Sequence, residues 1–107
     1  MSTITFTFED EAFTLEYSRR SVRTMEQTGF SLEGLAEKPV TYIPSLFRGA
    51  FLMHHPRIKE EKVNTIYNAI DEKEQLINAL IDMYRETADS LFDTPDDESK
   101  KVKWKRG

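Results

Sequence analysis

The sequence predicts an α+β fold: an N-terminal β-hairpin followed by a mainly α-helical bundle of four to five helices, with a flexible C-terminal tail. Three observations predict it. Apolar and polar residues alternate strictly at the start of the chain. Beyond Ser18 the apolar residues recur at helical spacing instead. Glycine and proline then punctuate that pattern at Gly29, Pro39 and Pro56, which cuts it into separate helices.

Residues Thr3 to Phe8 read T-I-T-F-T-F. Side chains of a strand point to opposite faces in turn, so Ile4, Phe6 and Phe8 make one apolar face and the threonines make the other. Phe13, Leu15 and Tyr17 repeat the alternation. The polar stretch Glu9 to Ala12 between them suits a hairpin turn, but it lacks the Asn-Gly or Asp-Gly pair that fixes the tightest turns. An isolated two-stranded hairpin is marginal in water, so its apolar face must lie on the helices or on another copy of the chain.

Ser18 is placed to cap a first helix that runs to about Thr28, with Val22 and Met25 inward. Gly29 supplies the left-handed residue that ends it, and Phe30 packs back on Met25. Ser31 starts a short second helix carrying Leu32 and Leu35, and Lys38-Pro39 ends it. Thr41 or Ile43 opens the third, with Pro44 in its first turn. That helix carries Leu46, Phe47, Ala50, Phe51 and His54 to the stop at His55-Pro56. A fourth covers roughly Lys59 to Ile70. Asp71 and Glu74 have the spacing of a capping box for a long fifth helix from about Glu72 to Phe92. Its apolar stripe includes Leu76, Leu80, Met83, Tyr84, Leu91 and Phe92, wider than one seam requires. The surplus is expected to meet either the rest of the domain or a partner.

The chain has 107 residues, the length of one domain, here placed at residues 1–95. Residues 96–107 show no periodicity and form a flexible charged tail. Net charge is −4 but unevenly spread, because residues 1–95 carry 10 Lys and Arg against 16 Asp and Glu. The absence of cysteine excludes disulfides, thiolate metal sites and cysteine nucleophiles. Met1 to Glu11 has neither a basic start nor an apolar run, so no signal peptide is expected. No stretch reaches the roughly 20 apolar residues of a membrane span, which predicts a soluble intracellular protein.

The residues able to carry chemistry have structural explanations. His54 and His55 are neighbours and diverge by about 100° on a helix, so they cannot clasp one metal ion. They suit a helix C-terminus, where a partly protonated imidazole faces the negative end of the dipole. Glu60, Glu61, Glu72 and Glu74 fall in first turns, where carboxylates are favoured. The glycines are isolated and form no phosphate loop. No catalytic group, cofactor or metal site is therefore expected, and the chain is expected not to be an enzyme.

Two basic features remain. Arg19, Arg20 and Arg23 cluster at the start of the first helix, either as a patch for an anion or acidic partner or as an ordinary charged face. Lys100 to Arg106 interleave five basic residues with Trp104. That run fits a solvated tail, docking on an acidic protein, or nucleic-acid binding. The acidic body opposes the last of these.

Several segments carry a resemblance. The strand pair Ile4–Phe8 and Phe13–Tyr17 is followed by Val22-Arg23-Thr24-Met25-Glu26 and then Gly29-Phe30-Ser31-Leu32. After the Lys38-Pro39 break come Ser45-Leu46-Phe47-Arg48-Gly49-Ala50-Phe51 and the joint His55-Pro56-Arg57-Ile58-Lys59-Glu60-Glu61-Lys62-Val63. In order and spacing this resembles the tail assembly chaperones of long-tailed (siphovirus-type) phages of Gram-positive bacteria, over residues 3–92. Lys59 departs from the Ser or Thr cap expected there. The resemblance implies a protein of the host bacterial cytoplasm that binds the tape-measure protein and recruits tail-tube subunits. It also implies absence from the mature virion and, in many members, a longer frameshifted form.

Such a role needs limited exposed apolar surface kept soluble by charge. Leu76, Leu80, Met83, Tyr84, Leu91, Phe92 and Trp104 are the candidate protein-binding residues. The hairpin edge offers strand addition or self-association into a homo-oligomer. The alternative is a small nucleic-acid-binding or regulatory protein that uses the basic tail.

Overall fold

The computed structural model describes residues 3–90 and Arg106. Strands β1 (Ile4–Phe8) and β2 (Glu11–Leu15) form an antiparallel pair. Five helices follow: α1 (Arg19–Gln27), α2 (Leu32–Glu37), α3 (Pro39–Gly49), α4 (Glu60–Ala69) and α5 (Lys73–Asp89). This is the hairpin-plus-helices α+β arrangement that the periodicities predict.

The hairpin register pairs Ile4 with Leu15, Phe6 with Phe13 and Phe8 with Glu11. Only Glu9 and Asp10 lie in the turn, and both have positive φ, 50° and 65°. A two-residue loop with both residues left-handed is the type I′ class, whose twist matches that of the strands. The turn is therefore tighter than the polar stretch Glu9 to Ala12 implied. Each left-handed residue that is not glycine costs about 1–2 kcal/mol. Asp10→Gly is accordingly expected to stabilise the protein by about 0.5–1 kcal/mol, after glycine's own entropy cost. A chemical denaturation midpoint that falls in the variant would count against this turn.

α1 begins with a reciprocal cap. The Ser21 amide donates to the Ser18 hydroxyl oxygen at 3.0 Å, and the Ser18 amide donates to the Ser21 hydroxyl oxygen at 2.8 Å. It ends in a Schellman motif: Gly29 N–H donates to the Glu26 carbonyl and Phe30 N–H to the Met25 carbonyl, both at 3.0 Å. Gly29 has a φ of 100°, which glycine adopts without steric cost. Ser31 caps α2 through the Gly34 amide, as its position predicts.

α3 starts earlier than expected, at Pro39 rather than Thr41 or Ile43. Pro39 is its first residue, where the missing N–H costs nothing, and Lys38 before it is held out of the helical region, at φ −132° and ψ 66°. Pro44 thus lies inside the helix and cannot donate to the Val40 carbonyl, which belongs to a residue 89% exposed to water. α3 also stops sooner, at Gly49. From Ala50 to Leu52 the chain tightens into bonds three residues apart, Ala50 to Phe47, Phe51 to Arg48 and Leu52 to Gly49. That switch leaves out the Leu46 carbonyl, one of the orphan acceptors at a helix end. The Tyr17 hydroxyl donates to it at 2.6 Å.

α5 starts at Lys73 behind a left-handed Glu72, φ 55°, with no side-chain cap. The Asp71–Glu74 capping box does not form, because the N-cap is Glu72 and the helix starts one residue later than Asp71 could cap.

α3 is the hub and touches α1, α2, α4 and α5, while α5 also lies along α1. Gly49 permits the close approach of α1, since a Cβ there would sit 2.3 Å from the Met25 Sδ. The core contains Phe13, Leu15 and Tyr17 from the β2 side, Leu46, Phe47 and Phe51 around α3, and Leu80 from α5. Among the described residues no buried side-chain nitrogen or oxygen lacks a hydrogen-bond partner, and no helix is long and apolar enough to cross a membrane.

Candidate protein-binding surface

The wide stripe of α5 is largely consumed inside the fold. Leu80, Met83 and Tyr84 are buried. Tyr84 meets Tyr17 and Phe30 edge to face, with ring centroids 5.6 Å and 5.1 Å apart. The stripe is broad because α5 faces two helices, α1 and α3, rather than one. These three residues therefore present no surface to a partner, which corrects their expected role. Leu76 is half-buried on the margin of the core and keeps some exposed apolar surface. Leu91, Phe92 and Trp104 lie outside the described residues, as does the run from Lys100 to Lys105, and Arg106 is exposed.

The arginines of α1 are brought together differently. A depression of about 640 Å³ runs between α1 and α5. Val22 and Thr87, both buried, and half-buried Ala88 form its floor. Arg19, Arg20, Arg23, Glu26 and Gln27 make its rim, because positions three and four apart share a helix face. Arg19 is fixed across the groove: its Nε donates to the Ser90 hydroxyl oxygen at 3.2 Å and its terminal nitrogen to the Ser90 carbonyl. Ser90 in turn donates to the Thr87 carbonyl at 2.6 Å. Arg20 and Arg23 are exposed, and neither makes an ion pair among the described residues.

Electrostatics reinforce this rim. α1 has no acidic residue in its first turn, so the positive end of its dipole adds to three guanidinium groups. The site can accept carboxylates in planar, two-pronged fashion while apolar side chains fill the floor. The sequence exposed the arginine cluster. The part of its floor made by Thr87 and Ala88 comes from about 65 positions beyond Val22, which no local pattern reveals.

The histidines belong to a structural joint. Glu16 and Thr14 follow the hairpin turn, and both reach the loop after α3. The His54 Nε2 lies 2.8 Å from the Glu16 Oε1. The Thr14 amide donates to the His55 Nε2 at 3.1 Å, and the Glu16 amide donates to the Ala50 carbonyl at 3.0 Å. His55 can accept only with Nε2 unprotonated, which places its ring proton on Nδ1. The pair sits beyond the end of α3 and staples the outer edge of β2, instead of facing a helix dipole. Among the described residues no group of three or more His, Cys, Asp or Glu is placed to hold a metal ion.

Two tyrosines have altered acidity. Burial pushes the Tyr17 phenol well above its ordinary value of 10.0, and neighbouring Tyr84 adds to the effect. Burial also raises Tyr84, with the Glu26 carboxylate contributing. Both are core aromatics, and Tyr84 also lines a small depression with Glu26, Phe30 and Leu32.

Fold and surface together define a small α+β domain, hairpin on five helices, with a basic groove over an apolar floor. The chain belongs to the family described as a domain of unknown function, DUF5055, whose model matches residues 1–107. No curated protein and no solved structure matches it.

Proposed function

We propose that this protein is a non-catalytic assembly factor that binds another protein through the groove between α1 and α5. The observation that carries the reading is the pair of exposed arginines, Arg20 and Arg23, which make no ion pair among the described residues, beside the buried floor of Val22 and Thr87. An acidic amphipathic helix fits it: carboxylates on the rim, apolar side chains below. Following the resemblance to tail assembly chaperones, the partner is the phage tape-measure protein, and tail-tube subunits are recruited to that complex. Assembly then takes place in the host cytoplasm and leaves no copy in the mature virion. The acidic body supports solubility while the basic groove steers an acidic partner to one face.

The double variant Arg20→Glu/Arg23→Glu tests the groove. Affinity for a co-expressed tape-measure protein, measured by titration calorimetry, is expected to fall at least about tenfold, or about 1.4 kcal/mol. The melting temperature should barely move, because both side chains are exposed and make no ion pair among the described residues. Unchanged affinity with the fold intact removes the groove from the interface. If neither the tape-measure nor the tail-tube protein co-purifies with the wild-type chain, the tail-assembly reading fails.

A further inference from the structure

The two edges of the hairpin are treated in opposite ways. The outer edge of β2 is closed by the loop after α3, which receives the amides of Thr14 and Glu16. Those bonds show which way the backbone points. Even-numbered residues of β2 aim their polar groups away from β1, so Thr5↔Thr14 and Thr7↔Ala12 are non-hydrogen-bonded pairs of the ladder. Thr5 and Thr7 must then aim their own N–H and C=O groups outward from β1. Among the described residues no hydrogen bond to another element reaches them.

β1 carries none of the usual protections of an open edge. The segment Thr3–Phe8 has no charge, no proline and no glycine. Its exposure is also graded toward the open side. Phe13 and Leu15 on β2 are 2% and 0% exposed, whereas Ile4, Phe6 and Phe8 on β1 are only partly buried. Apolar surface is thus left over at the edge where backbone groups are left over.

We propose that β1 pairs antiparallel with β1 of a second copy, joining two hairpins into one four-stranded sheet about a two-fold axis. The choice of a second copy follows from the strand's symmetry of composition. T-I-T-F-T-F alternates without charge, so reversing it sets threonine beside threonine and Ile or Phe beside Phe. Placing the axis at Phe6 pairs Thr5 with Thr7 of the second copy through the outward groups and puts the two Phe6 side chains together. The interface is isologous and closed, so it stops at a dimer. It leaves the α1–α5 groove untouched and stands independently of the function proposed above.

The chain has no cysteine, which makes a single introduced thiol a clean probe. In Thr5→Cys, a short bis-maleimide is expected to link two chains into a species of about twice 12.5 kDa. Glu33→Cys, exposed on α2, should not link under the same conditions. Sedimentation of the unmodified protein should show a mass rising from monomer to dimer with concentration. Thr5→Pro removes one outward N–H without touching the β1–β2 ladder, and Thr5→Lys sets like charges near the axis. Each is expected to shift the dimer dissociation constant upward at least about tenfold, with an unchanged circular dichroism spectrum. The inference is overturned by a monomer at every concentration, by equal linking of Glu33→Cys, or by a folded Thr5→Lys that dimerises as before.

Discussion

Leu80→Asp is expected to unfold this protein. Leu80 is fully buried in α5, at the centre of the shared core. Truncating such a leucine to alanine costs about 2–5 kcal/mol. Aspartate adds the desolvation of a carboxylate placed in a hydrophobic core, several kcal/mol more. The sum reaches the whole stability of a typical domain, about 5–15 kcal/mol. Far-UV circular dichroism should show the loss of helix in Leu80→Asp and its retention, with a lower melting temperature, in Leu80→Ala. A cooperative melting transition in Leu80→Asp would show that the α5 stripe is not core. Loss of partner binding in that variant reports unfolding, so the interface is better probed at Arg20 and Arg23.

Alkali is also expected to destabilise the fold. Tyr17 and Tyr84 have folded pKa values raised above the ordinary 10.0, chiefly by burial. A raised folded value means that the native state holds the proton more tightly than the unfolded chain. The associated stability is fully present below about pH 10 and is lost as pH rises through the folded values. In the tyrosinate absorbance band, ionisation of Tyr17 and Tyr84 is expected to coincide with unfolding. Tyr17→Phe separates the two roles of this residue. It removes the ionisable group, moving the alkaline transition upward, but deprives the Leu46 carbonyl of its donor. That loss costs about 1–3 kcal/mol at neutral pH. Ionisation of Tyr17 near pH 10 without unfolding, read as the absorbance difference from Tyr17→Phe, would refute its burial.

Much of the fold is legible locally because its determinants are local. Ser18 and Ser31 cap helices through amides three residues on, and Gly29 with Phe30 closes α1 through carbonyls three and five residues back. The alternation of Ile4, Phe6 and Phe8 fixes which face of β1 turns inward. The boundaries of α3 are less legible. A helix beginning at proline needs no capping side chain, and its end is set by Tyr17, a residue 29 positions earlier. The stripe of α5 shows the same division. Its width is plain in the sequence, but whether a wide face meets a partner or two neighbouring helices depends on the path of the chain between them. The histidines are a further case. Their adjacency rules out one shared metal ion from a regular helix, yet their actual partners, Thr14 and Glu16, lie in the hairpin.

The aromatic side chains make a continuous train from the hairpin to α4. Phe6 stacks on Phe13 at 5.4 Å, Phe13 meets Phe51 at 6.0 Å, Phe51 meets Phe47 at 5.0 Å, and Phe47 meets Tyr67 at 5.3 Å. Neighbours in contact share their energies, so truncations along this train should not be additive. The hairpin consequently cannot melt as a separate appendage. Loosening Phe6 frees Phe13, which leaves Phe51 and Phe47 without one wall, and α4 loses the ring against which Tyr67 rests. Hairpin and helices are thereby bound into one cooperative unit, and the edge strand of the molecule is as much a part of its thermodynamic core as the helix at the far end.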